Sequence, residues 1–282
     1  MRHWLSLQPD LAAVARGPLA LCFDFDGTLA PIAPRPELVQ LQPGIPELLE
    51  HLAGDPLIRM AVVSGRALAD VRPRVAVDGL RFAGNHGLEL DDGTIVVPPP
   101  PLYRDELEVC RMELPGRLRA PGVWIEDKTL TLTVHVRATP PEFWDEVHAT
   151  IAEFIETRTT IGMRKGHAVI ELRPRHGATK ADAVAALLRQ WGVPPERLWF
   201  FGDDETDEDV FRRFPTGVML RIQSKPESAA HGYLNDPADL VVLLQWLREC
   251  RRESRSTEEL HLGNETSPTA SKTEPCSSGD ST

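Results

Sequence analysis

The sequence predicts an α/β fold: a doubly wound, Rossmann-like parallel sheet with an α+β domain inserted into it. Three observations lead there. Five short apolar segments, 19–23, 59–64, 80–84, 197–202 and 217–222, recur along the chain and are bounded by Gly or Asp. Continuous apolar runs of this length suit parallel strands covered on both faces. Stretches with helical spacing lie between some of them. Residues 102–175 differ in style, because "TLTLTVHVR" (129–137) alternates strictly, as an antiparallel strand with one solvated or ligand-facing side does.

The elements follow in order. "LALCF" (19–23) opens the sheet, with Cys22 packing as a small apolar residue. A helix is expected over 43–54, with Pro early and Gly late. Strands 59–64 and 80–84 come next, then "LELDDGTIVV", a hairpin with a DG turn, and a proline run. The insertion holds strand 129–137, an amphipathic helix over 140–158 and strand 168–174. Beyond it come a helix over 178–192 ending at Gly192, strands 197–202 and 217–222, and a closing helix over 236–250. The expected partition is therefore a core in two parts, 1–101 and 176–250, and an inserted domain, 102–175. The tail, 251–282, is rich in Ser, Thr, Glu and Pro and has little to pack, which predicts disorder.

Composition narrows the function. The 282 residues leave room for a sizeable core. A net charge of −11 argues against nucleic acid as the main partner, yet allows a basic pocket for a small anion. The four cysteines form no C-x-x-C pair, so neither a zinc site nor a disulfide framework is indicated. No apolar run is long enough to span a bilayer, and "LAAVARGPLALCF" is broken by Arg16, Gly17 and Pro18. The expectation is a cytoplasmic protein with no membrane partner.

Chemistry is expected at the carboxyl ends of the strands. "ALCFDFDGTL" places Asp24 and Asp26 there, on one side of an extended segment. Two adjacent carboxylates repel unless a cation relieves them, and all-oxygen ligands suit Mg²⁺. The alternative is a solvated Asx turn at Gly27. "FFGDDETDEDVF" loads a second strand end with Asp203, Asp204 and Asp207, which fits a metal ligand, a helix cap, or one of each. "VVSGR" offers Ser64 as a phosphate ligand or a plain N-cap. Lys180 opens a helix and reads by default as a surface lysine, but a cation there opposes the helix dipole, and the alternative is a role near an anion.

"DFDGTL", "SGR", the helix-opening Lys180 and "GDDETDED" resemble, in order, the four motifs of the haloacid dehalogenase superfamily. "GNHGLE" (84–89), "EDKTLTLTVHVR" (126–137), "IELRP" (170–174) and "GDDETDEDVF" (202–211) resemble the signatures of trehalose-6-phosphate phosphatases, over nearly all of 19–250. One departure is Ala181, where that family carries Gly.

The resemblance implies a Mg²⁺-dependent phosphatase with trehalose 6-phosphate as its substrate. It implies that Asp24 attacks phosphorus, that Asp26 is the acid and base, and that Lys180 and Ser64 hold phosphoryl oxygens, with Gly65 beside them. Mg²⁺ is held by the Asp24 side chain, the Asp26 carbonyl and Asp203, with Asp204 and Asp207 behind them. Thr28 supports the nucleophile loop. The inserted domain becomes a cap in which Glu126, Lys128 and Glu171 meet the distal glucose, and Arg66, Asn85, His86, Arg137 and Arg173 are further candidates. Without the resemblance, Glu126 and Lys128 read as an exposed cross-strand pair. A monomer and an association with the trehalose-6-phosphate synthase are also expected. Two other readings stay open: the same chemistry on sucrose phosphate, mannosyl-phosphoglycerate or a smaller sugar phosphate, and a catalytically silent sugar-phosphate sensor.

Overall fold

In the computed structural model, which describes residues 1–166 and 168–265, the described residues form twelve strands. These are β1 (Arg2–His3), β2 (Leu19–Phe23), β3 (Ile58–Val63), β4 (Leu80–Gly84), β5 (Glu89–Leu90), β6 (Trp124–Asp127), β7 (Leu132–His135), β8 (Ile161–Gly166), β9 (Val169–Pro174), β10 (Leu198–Gly202), β11 (Val218–Ile222) and β12 (Gly232–Leu234). The helices are α1 (Trp4–Ala15), α2 (Ile45–Ala53), α3 (Leu68–Val75), α4 (Leu102–Arg117), α5 (Trp144–Ile155), α6 (Lys180–Trp191), α7 (Glu208–Arg213) and α8 (Pro237–Glu265).

The main sheet runs β1-β12-β11-β10-β2-β3-β4-β5 and is parallel except for the β4–β5 edge. The period of two in β2 explains the two layers around it. Leu19, Leu21 and Phe23 join a core with α1, α2, α3 and α8, whereas Ala20 and Cys22 face α6 and α7. The chain leaves β2 toward β3 and β4 on one side and later fills β10, β11 and β12 on the other. β2 is therefore the switch point, where a crevice opens beyond the strand ends.

The insertion folds as a second, antiparallel sheet, β6-β7-β9-β8, packed on α4 and α5. Its register sorts the side chains. Leu132, Val134, Ile170 and Leu172 face the helices, and Glu126, Thr133, His135 and Glu171 face the other way.

The five core strands lie within a residue or two of their expected places. The long strand expected over 129–137 is instead the second half of a hairpin. Asp127 Oδ1 accepts from Thr129 N (2.8 Å), and Thr129 takes a left-handed φ of 68° that turns the chain. α1, α3 and α4 were not read from the sequence, and each carries a proline, Pro9, Pro73 and Pro115, that interrupts its periodic pattern.

The expectation of disorder from Arg251 onward is corrected up to Glu265, because α8 continues through it. Arg251 is buried, with its Nε 2.9 Å from Asp55 Oδ2 and its Nη1 donating to the carbonyls of Ala15 (2.9 Å) and Gly17 (2.6 Å). A polar composition concealed an anchor that closes three elements of the core. The remainder of that tail, 266–282, lies outside the described residues. No described helix is long and apolar enough to cross a membrane.

Candidate active site

Asp24 follows β2 directly and is almost fully buried, its amide donating to Phe201 O (2.8 Å). Phe25 turns into the core, so Asp24 and Asp26 share the opposite side. The amides of Leu29 and Ala30 then donate to Phe25 O (3.0 Å each) and close a tight loop. Gly27 sits in it at φ +81°, and a Cβ there would stand 2.2 Å from Asp203 Oδ2. Only glycine lets the two acidic strand ends approach this closely. Thr28 is fully buried in the same loop, with its Oγ1 unpartnered.

Lys180 comes from the first turn of α6, which Thr179 and Asp182 close with a capping box. Its Nζ lies 2.7 Å from Asp24 Oδ1 and 2.8 Å from Asp207 Oδ1. Burial opposes this ammonium, but Asp207 and Asp24 outweigh it and raise Lys180 well above its usual range. The other Asp207 oxygen accepts from the amides of Asp203 (2.9 Å) and Asp204 (3.0 Å). Asp204 accepts from Thr206 N and Thr206 Oγ1 (2.6 Å each), an Asx turn that shapes the loop.

One ammonium thus pairs with two buried carboxylates, Asp24 and Asp207, and the half-buried Asp203 stands beside them, the three offering oxygens within 4.8 Å of one another. Burial, followed by Asp207 and Asp204, pushes the Asp203 carboxyl up to about 7. Burial likewise raises Asp24 despite Lys180. Asp203 Oδ1 is buried with no partner. An orphaned carboxylate oxygen in an all-oxygen set with surplus negative charge fits a hard divalent cation.

Asp26 is handled differently. Arg66 grips it through Nε (2.6 Å) and Nη2 (2.7 Å), while Nη1 reaches Asp70 (2.5 Å). Ser64 is not a helix N-cap, because α3 begins later, behind Ala67. Its hydroxyl is fully buried and accepts from Arg66 N (3.1 Å). Gly65 faces the cavity, and a Cβ on it would meet the His86 ring at 2.4 Å.

Asn85 and His86 both hold left-handed φ values, 50° and 57°. Two such residues in succession are strained. They are pinned by bonds from Asn85 N to Arg66 O (2.8 Å) and from His86 N to Ser64 O (2.9 Å). Asn85 then brackets the two sheets, donating to Glu89 (2.7 Å) and accepting from Thr131 Oγ1 (2.8 Å). It does not reach the cavity surface.

The polar face of the second sheet forms the opposite wall of a cavity of about 1080 Å³ whose floor is Asp24, Asp26, Lys180 and Asp203. Glu126, Lys128, Arg137 and Glu171 all line it. Glu171 Oε1 is 2.5 Å from His86 Nε2 and 3.7 Å from Lys128 Nζ, which also donates to Gly65 O (3.1 Å). Burial opposes its charge, but His86 and Lys128 prevail and hold Glu171 at about 2. Glu126 pairs with His135 Nε2 (2.8 Å), and Arg137 donates to Ala33 O (2.8 Å). Arg173 is buried below this wall and donates to Ala178 O. The sequence reading missed His135, Trp124, Arg164 and the 32–39 loop, which also line the cavity. For the first of these a signal existed: in "TLTLTVHVR" His135 falls on the same alternating face as Thr133.

The profile of the trehalose-phosphatase family matches residues 22–237. A trehalose-phosphate phosphatase of Mycobacterium tuberculosis is 35% identical over 256 residues, covering 86% of this chain and 64% of the relative, so the chain spans just under two thirds of its length. A probable trehalose-phosphate phosphatase of Oryza sativa is 27% identical over 270 residues, covering 90% of this chain and 72% of the relative. Among solved structures, the C-terminal domain of Candida albicans trehalose-6-phosphate phosphatase superposes with a TM-score of 0.70 at 21% identity, covering 86% of this chain and 97% of that one. A parallel switch-point sheet with acidic strand ends, an inserted α+β domain facing them, and these likenesses agree. The chain belongs to the trehalose-phosphatase family.

Proposed function

We propose that this chain hydrolyses trehalose 6-phosphate to trehalose and phosphate through an aspartyl-phosphate on Asp24, with Mg²⁺ as cofactor. The observation that carries the reading is a single cavity with Asp24 and Lys180 in its floor and the paired carboxylates Glu126 and Glu171 in its wall. Carboxylates accept sugar hydroxyls, and an ammonium with a cation attracts a phosphate dianion.

Asp24, the Asp26 carbonyl and Asp203 would hold Mg²⁺. When bound, it neutralises charge on the phosphoryl oxygens and on the carboxylates around them. Lys180 orients a phosphoryl oxygen beside Asp24, with Ser64 and Gly65 bordering the same position. Asp24 forms the bond to phosphorus as the bond to the sugar oxygen breaks, and Asp26 gives that oxygen its proton. Water then attacks the aspartyl-phosphate, and Asp26 takes the proton back. Both Asp26 oxygens are held by Arg66, so the first proton transfer requires that fork to open. The inserted domain, 102–175, reads the distal glucose and excludes water when it closes. A small anionic sugar is thus the partner we assign, not a nucleic acid or a membrane.

The test is phosphate release by the purified chain from trehalose 6-phosphate, sucrose 6-phosphate and glucose 6-phosphate, with Mg²⁺ and with EDTA. Magnesium-dependent release highest on trehalose 6-phosphate supports the reading. Equal rates on all three, or full activity in EDTA, would overturn it.

A further inference from the structure

Trp124 is exposed, at 42%, although it lies in a strand of the inserted sheet and lines the same cavity as Asp24. It stands directly across from His135 in the β6–β7 register. The two rings are parallel, with 0° between planes and 3.9 Å between centroids. The imidazole is fixed in turn by Glu126, 2.8 Å from its Nε2. One face of the indole is therefore backed by a ring that a half-buried carboxylate holds still, and the rest remains uncovered.

Position gives this arrangement its meaning. Trp124 precedes Lys128 by four residues, roughly 13 Å along an extended strand. Lys128 is tied to the core at Gly65, beside the Asp24 floor, so Trp124 occupies the outer end of the polar wall. Ile32 and Leu38, both well exposed, line that cavity as well. Carboxylates and cations along the wall suit hydroxyls, whereas the C–H face of a pyranose needs an apolar, flat partner.

We propose that Trp124 is a specificity-determining residue that stacks on the outer sugar ring of a two-ring sugar phosphate, and that His135 is the positioning residue that holds it there. The inference rests on the sugar-phosphatase reading and deepens it. A one-ring sugar phosphate anchored at Asp24 would not reach the platform, so the stack selects for length.

The experiment uses the full chain with Mg²⁺. Trp124→Ala is expected to raise KM for trehalose 6-phosphate about tenfold or more, with a smaller change in kcat. The efficiency ratio of trehalose 6-phosphate over glucose 6-phosphate should fall by the same factor. Trp124→Tyr should restore most of that ratio. His135→Gln keeps a donor for Glu126 but removes the backing ring, and should lower the ratio as well. Separately, trehalose added to the wild type should change tryptophan emission, and Trp124→Phe should abolish that change. Equal losses on both substrates, a full ratio in Trp124→Ala or His135→Gln, or the same trehalose response in Trp124→Phe would overturn the proposal. If the wild type releases no phosphate from trehalose 6-phosphate, the function fails, and the emission titration still judges the platform.

Discussion

The floor of the cavity and the sheet opposite carry carboxylates in opposite electrostatic states, with Asp24, Asp207 and Glu171 buried and Asp203 and Glu126 half-buried. At the floor, Lys180 pairs with Asp24 and with Asp207 beneath the surface, Asp203 lies beside them, and burial with repulsion from neighbouring carboxylates raises all three. In the sheet opposite, Glu171 has His86 and Lys128, Glu126 has His135, and both carboxyls are lowered despite burial. The floor is frustrated until something positive and something reactive enter it. The sheet is already satisfied and waits as an ordered row of acceptors. Frustrated charge marks where bonds are made, and pre-paired charge marks where a ligand is read.

The largest expected effect breaks the floor. Asp24→Asn removes the proposed nucleophile and should lower turnover by roughly 10³-fold or more. It also neutralises one member of a repelling set, so the melting temperature of metal-free protein should hold or rise. A clear fall in melting temperature would show that the floor is not frustrated.

A divalent ion should relieve the same repulsion. Mg²⁺ at about a hundred times its dissociation constant stabilises by ~2.7 kcal/mol. Calorimetry should show the melting point rising with Mg²⁺ in the wild type and much less in Asp203→Asn. Equal shifts in both would remove Asp203 from the site.

Acidity should act on the two walls with opposite signs. The folded-state value of Asp203 is raised to about 7, so its stabilising contribution is full below the unfolded value and is lost as pH rises through 7. Glu171 is lowered from 4.5 to about 2, so its contribution is full above 4.5 and is lost as pH falls through 2. That shift is worth about 3 kcal/mol. Urea unfolding of metal-free protein should show Asp203→Asn flattening the neutral limb and Glu171→Gln the acid limb. Both limbs surviving both substitutions would contradict the contrast.

The smallest effect on activity comes from a buried pair outside both walls. Arg251→Met should cost about 3 kcal/mol, because Asp55 loses this buried partner and the carbonyls of Ala15 and Gly17 lose their donor. Turnover at a temperature where the variant is folded should stay near wild type. A large loss of turnover would show that stability and chemistry are not separable here.

The core was legible because its strands are buried on both sides and leave unbroken apolar runs such as 19–23. Asp24, Asp26 and Asp203 were legible because carboxylates at strand ends contradict burial. Arg66 was read as a substrate ligand, and its fork on Asp26 could not be seen, since that pair joins residues forty positions apart. Asn85 was another candidate contact. Its bonds to Glu89 and Thr131 depend on a left-handed pair, Asn85 and His86, whose two consecutive positive φ values are set by tertiary hydrogen bonds rather than by local sequence. Arg251 was hidden for a similar reason: one arginine among several in a polar run gives no sign that a carboxylate and two carbonyls wait for it.

The contrast between the walls is tested most directly by measuring two efficiencies in each variant, one on trehalose 6-phosphate and one on a small aryl phosphate that has no sugar. Asp24→Asn should remove both. Glu126→Ala, Lys128→Ala and Glu171→Ala should each lower the first by roughly tenfold to a hundredfold, from a lost hydrogen bond to a charged group, and the second by much less. If the three sheet variants lose both activities in equal measure, the paired wall serves chemistry or folding, and the division between a reacting floor and a reading wall is wrong.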